Sequence, residues 1–472
     1  MKSALSFVYK WYQWTPVIFL GIIWYIPRNT APGGIFEEYL FLRWITLLLI
    51  PVWGAVQLAI QRYQRIPIRL PPVILPLIVF SAVLAVSCGV HRTPVLQMCG
   101  VALFYLRYPL LFLILVNMDL PRKLPKVFFR MFAFLLLIQI PECFYRFWVL
   151  GISGDRISWS MGPWGTFGLG VYMTYFTALV VSRSVRQRLS FLFLLTVLCF
   201  FAGAVIGEIK AFLFAAPIIT VTVAVFALYP CRRGKAGRVA VVLFFVCSAA
   251  VLSVRSWSTV HAGRGDAFTQ VTAGERLSLG YRLNYERRKA KLEAKLGEEW
   301  WSGPVIEMYS RVRSLPVVGR RAGKVGDFVL DIRHEPLDVW LGLGPGASFA
   351  GHFWEEKGAL HGYPAGRGKR NQLIALVADA GLLGLAVYFW FLFLVLRKIL
   401  AAYAIRFPKP VCVLSAAAVG MWVFYALLGP FYNQVWRYDA SSYVFFFYAA
   451  VIWRYWYESG SKERGRESTA CQ

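Results

Sequence analysis

Apolar runs long enough to cross a bilayer recur along the whole chain, and they restrict the fold before any motif is considered. A spanning helix needs about 20 apolar residues. Twelve stretches approach that length: roughly 13–27, 38–60, 70–90, 97–117, 127–150, 165–182, 189–206, 209–229, 239–254, 371–396, 410–428 and 441–457. The first is short, and two runs crowd together around Glu208. With 58% apolar and 17% aromatic residues, the composition is that of a membrane protein and not of an ordinary soluble domain. The expected fold is an all-α polytopic membrane protein with about 12 transmembrane helices. Only Lys2 and Lys10 precede the first run and no small-residue cleavage site follows it, so it reads as an uncleaved span.

The formal net charge of +27 would suit a nucleic-acid binder, but its distribution does not. Basic clusters fall on alternate connections: Arg62/Arg65/Arg69, Arg122/Lys123/Lys126, Arg183/Arg186/Arg188, Arg232/Arg233/Lys235/Arg238, Arg397/Lys398/Arg406/Lys409 and Lys462/Arg464/Arg466. The intervening turns carry about one basic residue each, at Arg28, Arg92, Arg156, Lys210 and Arg437. The positive-inside rule places the first set in the cytoplasm, with both termini, and the second set outside. The organisation expected is therefore spans 1–9 over residues 1–254, a large extracytoplasmic loop over 255–370, spans 10–12 over 371–458 and a basic cytoplasmic tail over 459–472.

Four of the five histidines lie in that loop, at His261, His334, His352 and His361, without the HxxxH or HExxH spacing of a metal site and with no Asp-x-Asp pair nearby. The chemistry is expected to need no metal or other cofactor. Asn284–Trp301 has a basic stripe at Arg287, Lys291 and Lys295 beside an apolar one at Leu292, Leu296 and Trp300. This is a helix that either lies on a membrane surface or packs, solvated, on the bundle. The aromatics Trp257, Trp300, Trp301, Tyr309, Trp340 and Trp354 are able to stack on sugar rings, although most are expected simply to pack. The eight cysteines show no CxxC; Cys88 and Cys99 flank an outer turn and either pair or stay as buried thiols.

Ionisable residues within spans are costly and usually face a cavity or one another. Arg43, Glu142, Arg146, Glu208, Lys210 and Asp379 fall in the outer half of their spans, and Arg107 lies near the middle. Each alone fits an ion pair that packs helices. Together they describe a cationic cavity opening outward, suited to an anionic headgroup such as a diphosphate.

The stretch PLDVWLGLGPGASF, followed after an insertion by RNQLIALVADAGLLGLAVYFWFLFL, resembles the end of the external loop and the following span of the O-antigen ligase and O-antigen polymerase superfamily. DRISWSMGPWGTFGLG resembles that family's Gly/Phe/Asn-rich outer loop, and GEIKAFLFAAP stands where many of its members carry Ser-Arg-Gly. The resemblance implies a GT-C-like membrane glycosyltransferase that takes a glycan from an undecaprenyl-diphosphate-linked donor on the outer face of a bacterial inner membrane. Its implied partners are that donor, a glycan or lipid-linked acceptor, the bilayer, and a chain-length regulator or other polysaccharide assembly proteins.

By position, Lys210 matches the family's arginine at the start of the eighth span and is assigned to the diphosphate, with Arg43, Arg107 and Arg146 of the cationic cavity expected to bind it too. Arg282 matches the family's loop arginine, in competition with Arg276 and Arg287. Arg370 and Asn371 stand where the ligases carry His-Asn. An arginine stays protonated and cannot act as a base, so Arg370 is expected on phosphate, and His334 or Glu335 upstream is the candidate base. Asp379 matches the acidic residue of the family's E-x-G-x-x-G pattern, with either helix packing or orientation of Arg370 as its role, and Glu208 is a further supporting residue. The missing histidine favours a polymerase over a ligase. A lipid-linked oligosaccharide flippase is the competing class, but no paired broken helices in two related halves are evident in the sequence.

Overall fold

The computed structural model describes residues 9–29, 41–149, 166–186, 210–228, 328, 332, 335–348, 372–404, 409–432, 436 and 441–455. Among these the chain is helical and contains no strand. The helices are α1 (Thr15–Asn29), α2 (Phe41–Gln64), α3 (Ile74–His91), α4 (Val95–Asn117), α5 (Leu124–Trp148), α6 (Thr166–Arg186), α7 (Lys210–Leu228), the short α8 (Pro336–Leu341), α9 (Gln372–Ala404) and α10 (Lys409–Trp422). A π-helical turn, Val423–Leu428, prolongs α10, and α11 covers 441–455. All but two of the apolar runs fall on these helices; 189–206 and 239–254 lie outside the described residues, as do the 284–301 segment and the 459–472 tail. Among the described residues five helices are long and apolar enough to cross a membrane: Ile74–His91, Val95–Asn117, Leu124–Cys143, Gln372–Ala401 and Val411–Leu428.

A helix that is apolar on every side belongs in the middle of a bundle, and α11 is that helix. Every residue from 441 to 453 is buried. Lipid is as apolar as leucine, so its packing must come from close contact and not from water exclusion. Aromatic rings provide much of that contact. Phe447 stacks on Phe128 of α5 with ring centres 3.6 Å apart, Trp453 meets Phe112 of α4 edge-on at 5.2 Å, and Phe445 stacks on Tyr425 of the π-turn at 4.7 Å. The Tyr443 hydroxyl donates to the Pro16 carbonyl of α1 at 2.7 Å. Around this axis α6, α7 and α10 pack together, α9 packs on α3 and α10, and α2 packs on α4.

The outer surface carries the complementary signal. Val52 and Val56 of α2, Ile78 of α3, Phe134 and Ile138 of α5, and Phe393 of α9 are all exposed, as expected for helices that face hydrocarbon. The two ends of the bundle differ. At one end Asp119 accepts from Gln13 and from Arg454, the latter at 2.7 Å, and Asn117 binds the backbone of Arg69. At the other end the α3–α4 turn meets α8 and the glycine-rich segment behind it.

The close approach of α10 to α7 depends on Gly420, where an added Cβ would lie 2.4 Å from the Val223 methyl and 3.1 Å from that of Ile219. Both neighbours are β-branched and stiff. Gly420→Ala is expected to destabilise the protein by about 1–3 kcal/mol through overpacking. Gly89→Ala on α3, where nothing lies within 4 Å, is expected to be neutral or to stabilise by about 0.5–1 kcal/mol. Thermal unfolding of the two variants in detergent checks the contrast.

Candidate functional site

Helix α9 is broken, and the break builds the site. Its first segment, residues 372–380, is buried on all sides. At Gly381 the backbone leaves helical geometry, with φ 68° and ψ −171°. Beyond it the helix becomes two-faced, exposing Leu383, Trp390 and Phe393. Inside a bundle a freed backbone group must find a partner. The Ala378 carbonyl finds the Leu343 N–H, at 2.7 Å, in the segment that follows α8.

That approach requires glycine on both sides. Gly342 has φ 81°, and a Cβ on it would lie 2.6 Å from the Ala378 oxygen; a Cβ on Gly381 would lie 2.1 Å from the Trp340 oxygen. Thus the glycine turn of LGLGPG and the Asp-x-Gly of DAGLLG, the two stretches that carry the family resemblance, are packed backbone to backbone. The contact also encloses a small core of its own, in which Phe328, Ile332 and Ala347 meet Ile374, Val377 and Ala378.

Asp379 fastens the contact. Its carboxylate is fully buried and accepts three hydrogen bonds, from the Ser348 N–H at 2.9 Å, the Ser348 hydroxyl at 2.6 Å and the Tyr105 hydroxyl of α4 at 3.0 Å. The Gln372 amide also reaches the Tyr105 oxygen, at 3.5 Å. A buried charge is tolerable when it is satisfied in this way. The same segment is tied to α3 by the Ser87 hydroxyl, which donates to the Leu341 carbonyl at 2.8 Å. His91 Nε2 lies 3.8 Å from Asp338 Oδ1, an ion pair when the imidazole is protonated. Partial burial raises the Asp338 carboxyl above its ordinary value, His91 opposes the shift, and Glu335 adds to it.

Deeper in the bundle, Arg107 is buried, with its guanidinium 4.8 Å from the Tyr108 ring and 5.3 Å from that of Phe104. Guanidinium over an aromatic face keeps its charge in apolar surroundings. The π-turn places the Tyr425 hydroxyl 3.0 Å from the Ser442 hydroxyl of α11. The arrangement therefore offers a fixed cation and several hydroxyl groups inside the bundle, with a loop anchored over the end where α9 begins. What its buried hydrogen bonds do is fix residues 342–348 against α4 and α9.

The predicted site residues are distributed as follows. Asp379 and Arg107 lie in the interior just described. Lys210 is the first residue of α7, Arg43 lies in the first turn of α2 and Arg146 in the last turn of α5. Glu142 is half-buried one turn before Arg146. Glu335 is exposed and immediately precedes α8, whose Asp338 and Val339 N–H groups bond to its carbonyl. Glu208, Arg276, Arg282, Arg287, His334, Arg370 and Asn371 lie outside the described residues, with His261, His352, His361, Trp257, Trp300, Trp301, Tyr309 and Trp354. Trp340 is exposed on α8. Cys88 and Cys99 are both free. Cys88 is buried and donates to the Thr93 carbonyl, but Cys99 is exposed, which corrects the expectation of a buried thiol there.

Sequence reasoning missed Ser348, Tyr105 and the His91–Asp338 pair. Ser348 stands inside the motif that was singled out, and a buried aspartate needing donors was a reason to look for it. His91 was the one histidine outside the large loop and carried no other mark. No family model matches the chain, and no curated protein matches it.

Two outcomes follow from this geometry. Ser348→Ala removes a charge-assisted hydrogen bond and is expected to destabilise the protein by about 1.5–3 kcal/mol. Gly381→Ala is expected to detach residues 335–348, read as faster proteolysis there. The raised Asp338 carboxyl has a folded pKa above its unfolded one. Its stabilising contribution is therefore greatest below the unfolded value and is lost as pH rises through the raised one. Asp338→Asn should flatten the stability profile across that interval; an unchanged profile would mean that Asp338 is not the titrating group.

Proposed function

We propose that the protein is a metal-independent membrane glycosyltransferase that polymerises undecaprenyl-diphosphate-linked oligosaccharide repeat units into a surface polysaccharide, such as an O-antigen or exopolysaccharide. In this reading twelve spans form a GT-C-like bundle in the bacterial inner membrane, with cytoplasmic termini and the large loop on the outer face. The observation that carries it is the packing of the glycine turn on the broken α9. The two stretches that resemble the family come together in space although an insertion separates them in sequence.

The reaction demands that a hydroxyl attack the sugar carbon as its bond to the diphosphate breaks; a single displacement there would invert that carbon. Charge grows on the leaving diphosphate, and preorganised cations are the economical way to stabilise it. Lys210, Arg43, Arg107, Arg146 and Arg370 are the residues assigned to that role, with Arg282 toward the loop. The acceptor proton goes to His334 or Glu335. Asp379 is a positioning residue, since its oxygens hold Ser348 and Tyr105. A ligase that transfers the glycan to lipid A core would use the same groups. A flippase is favoured by one observation, the broken helix, which is a common device at transport sites. Here the break is filled by loop backbone and not left open to a substrate.

Purified protein supplied with an undecaprenyl-diphosphate oligosaccharide is expected to produce a ladder of multiples. One transfer to a lipid A core acceptor would indicate the ligase, and lipid movement without chemistry the flippase. Lys210→Glu and Arg370→Glu, made separately, are each expected to lower product formation by about 100-fold or more at normal protein levels. Survival of activity in both would remove the mechanism.

A further inference from the structure

At the end of the bundle opposite the glycine turn, α2, α4 and the extended segment entering α3 enclose a groove of about 400 Å³. Its walls are mostly apolar, with Ala55 and Leu58 on one side, Leu113 and Ile114 on another and Ile68 across the mouth. Beside them is a polar knot. Gln57 and Gln61 both donate to the Asn117 carbonyl, at 3.0 and 3.2 Å. The Asn117 side chain in turn clamps the backbone of Arg69, accepting from its N–H at 2.7 Å and donating to its carbonyl at 3.0 Å. Gln61 lines the groove and is 1% exposed, and its buried amide oxygen has no donor among the described residues. A buried acceptor in that state costs about 1–3 kcal/mol unless a ligand satisfies it.

Outside the groove the surface is cationic. Arg62, Arg65 and Arg69 are exposed, and Arg65 takes a left-handed φ of 54° just after α2. Asp119, an acid close by in sequence, is engaged by Arg454. Ile66, Ile68 and Leu70 are exposed between and beside these arginines, a pattern that suits the depth where chains meet headgroups.

We infer that this groove binds an anionic phospholipid of the surrounding bilayer, of the phosphatidylglycerol type, with one acyl chain in the apolar channel. The phosphate sits at Arg65 and Arg69, and a headgroup hydroxyl donates to the Gln61 oxygen. The occupant is chosen by three features together: a hydrocarbon-lined channel, a cationic mouth and an acceptor in need of a donor. The inference does not rest on the transferase reading, because α3 and α4 separate this groove from the glycine turn by their full length.

The test uses the full chain purified in neutral detergent, with thermal unfolding and native mass spectrometry as readouts. Phosphatidylglycerol is expected to remain bound and to raise the unfolding midpoint by several degrees. Phosphatidylcholine and inorganic phosphate are expected to do neither. Phosphatidic acid keeps the charge but lacks the headgroup glycerol, and should bind about tenfold more weakly. Ala55→Trp, which fills the channel, and Arg69→Gln, which leaves the clamped backbone in place, should each abolish the shift. Gln61→Leu should weaken phosphatidylglycerol by about tenfold and erase its preference over phosphatidic acid. Equal stabilisation by phosphatidylcholine would overturn the inference, as would an undiminished shift in both Ala55→Trp and Arg69→Gln. So would a lipid-independent dimer that Ala55→Trp dissociates, which would make the groove a contact between copies. If Ala55→Trp lowers the lipid-free midpoint, Arg69→Gln decides.

Discussion

A helix that breaks inside an apolar bundle must have its freed backbone groups satisfied by something other than water, and this constraint organises the end of the protein that carries the glycine turn. The break in α9 at Gly381 leaves the Ala378 carbonyl to the Leu343 N–H. To make that bond, the chain beyond α8 must approach to backbone contact, which explains Gly342 opposite Gly381. The approach then buries Ser348 beside Asp379. An unpaired carboxylate at that depth would be costly. With two donors from Ser348 and one from Tyr105, it becomes the point where loop, α4 and α9 are joined.

The sequence revealed those parts of this arrangement that depend on composition. Apolar runs mark helices because the thickness of hydrocarbon sets their length, and the runs covering α3, α4, α5, α9 and α10 are long enough by that measure. Asp379 was conspicuous because acids are rare in such surroundings. Hydropathy, however, cannot detect a single residue at positive φ, so α9 read as one continuous span although its first turns and its remainder have different environments. The partners of Asp379 were hidden for another reason: Ser348 is 31 residues away and Tyr105 is 274. Pairing across such separations depends on how helices pack, and periodicity carries no information about that.

The groove at the other end shows the same limit. Arg62, Arg65 and Arg69 stood out in the sequence only as one of several basic clusters that orient the chain. What distinguishes this cluster is Asn117, a polar residue at the end of an apolar helix, whose amide fixes the backbone of Arg69. The helices α3 and α4 join the two ends, and α3 presents Ser87 and His91 to α8. Their opposite ends, at Ile74 and Asn117, line the groove.

The placement of Arg107 bears on how a site in this bundle manages charge. A guanidinium cannot shed its proton to escape burial, so its surroundings must accommodate the cation permanently. Rings at Phe104 and Tyr108, one turn and one residue away on the same helix, contribute to that accommodation. The π-turn that carries Tyr425 shifts the register of α10 and directs the hydroxyl to Ser442.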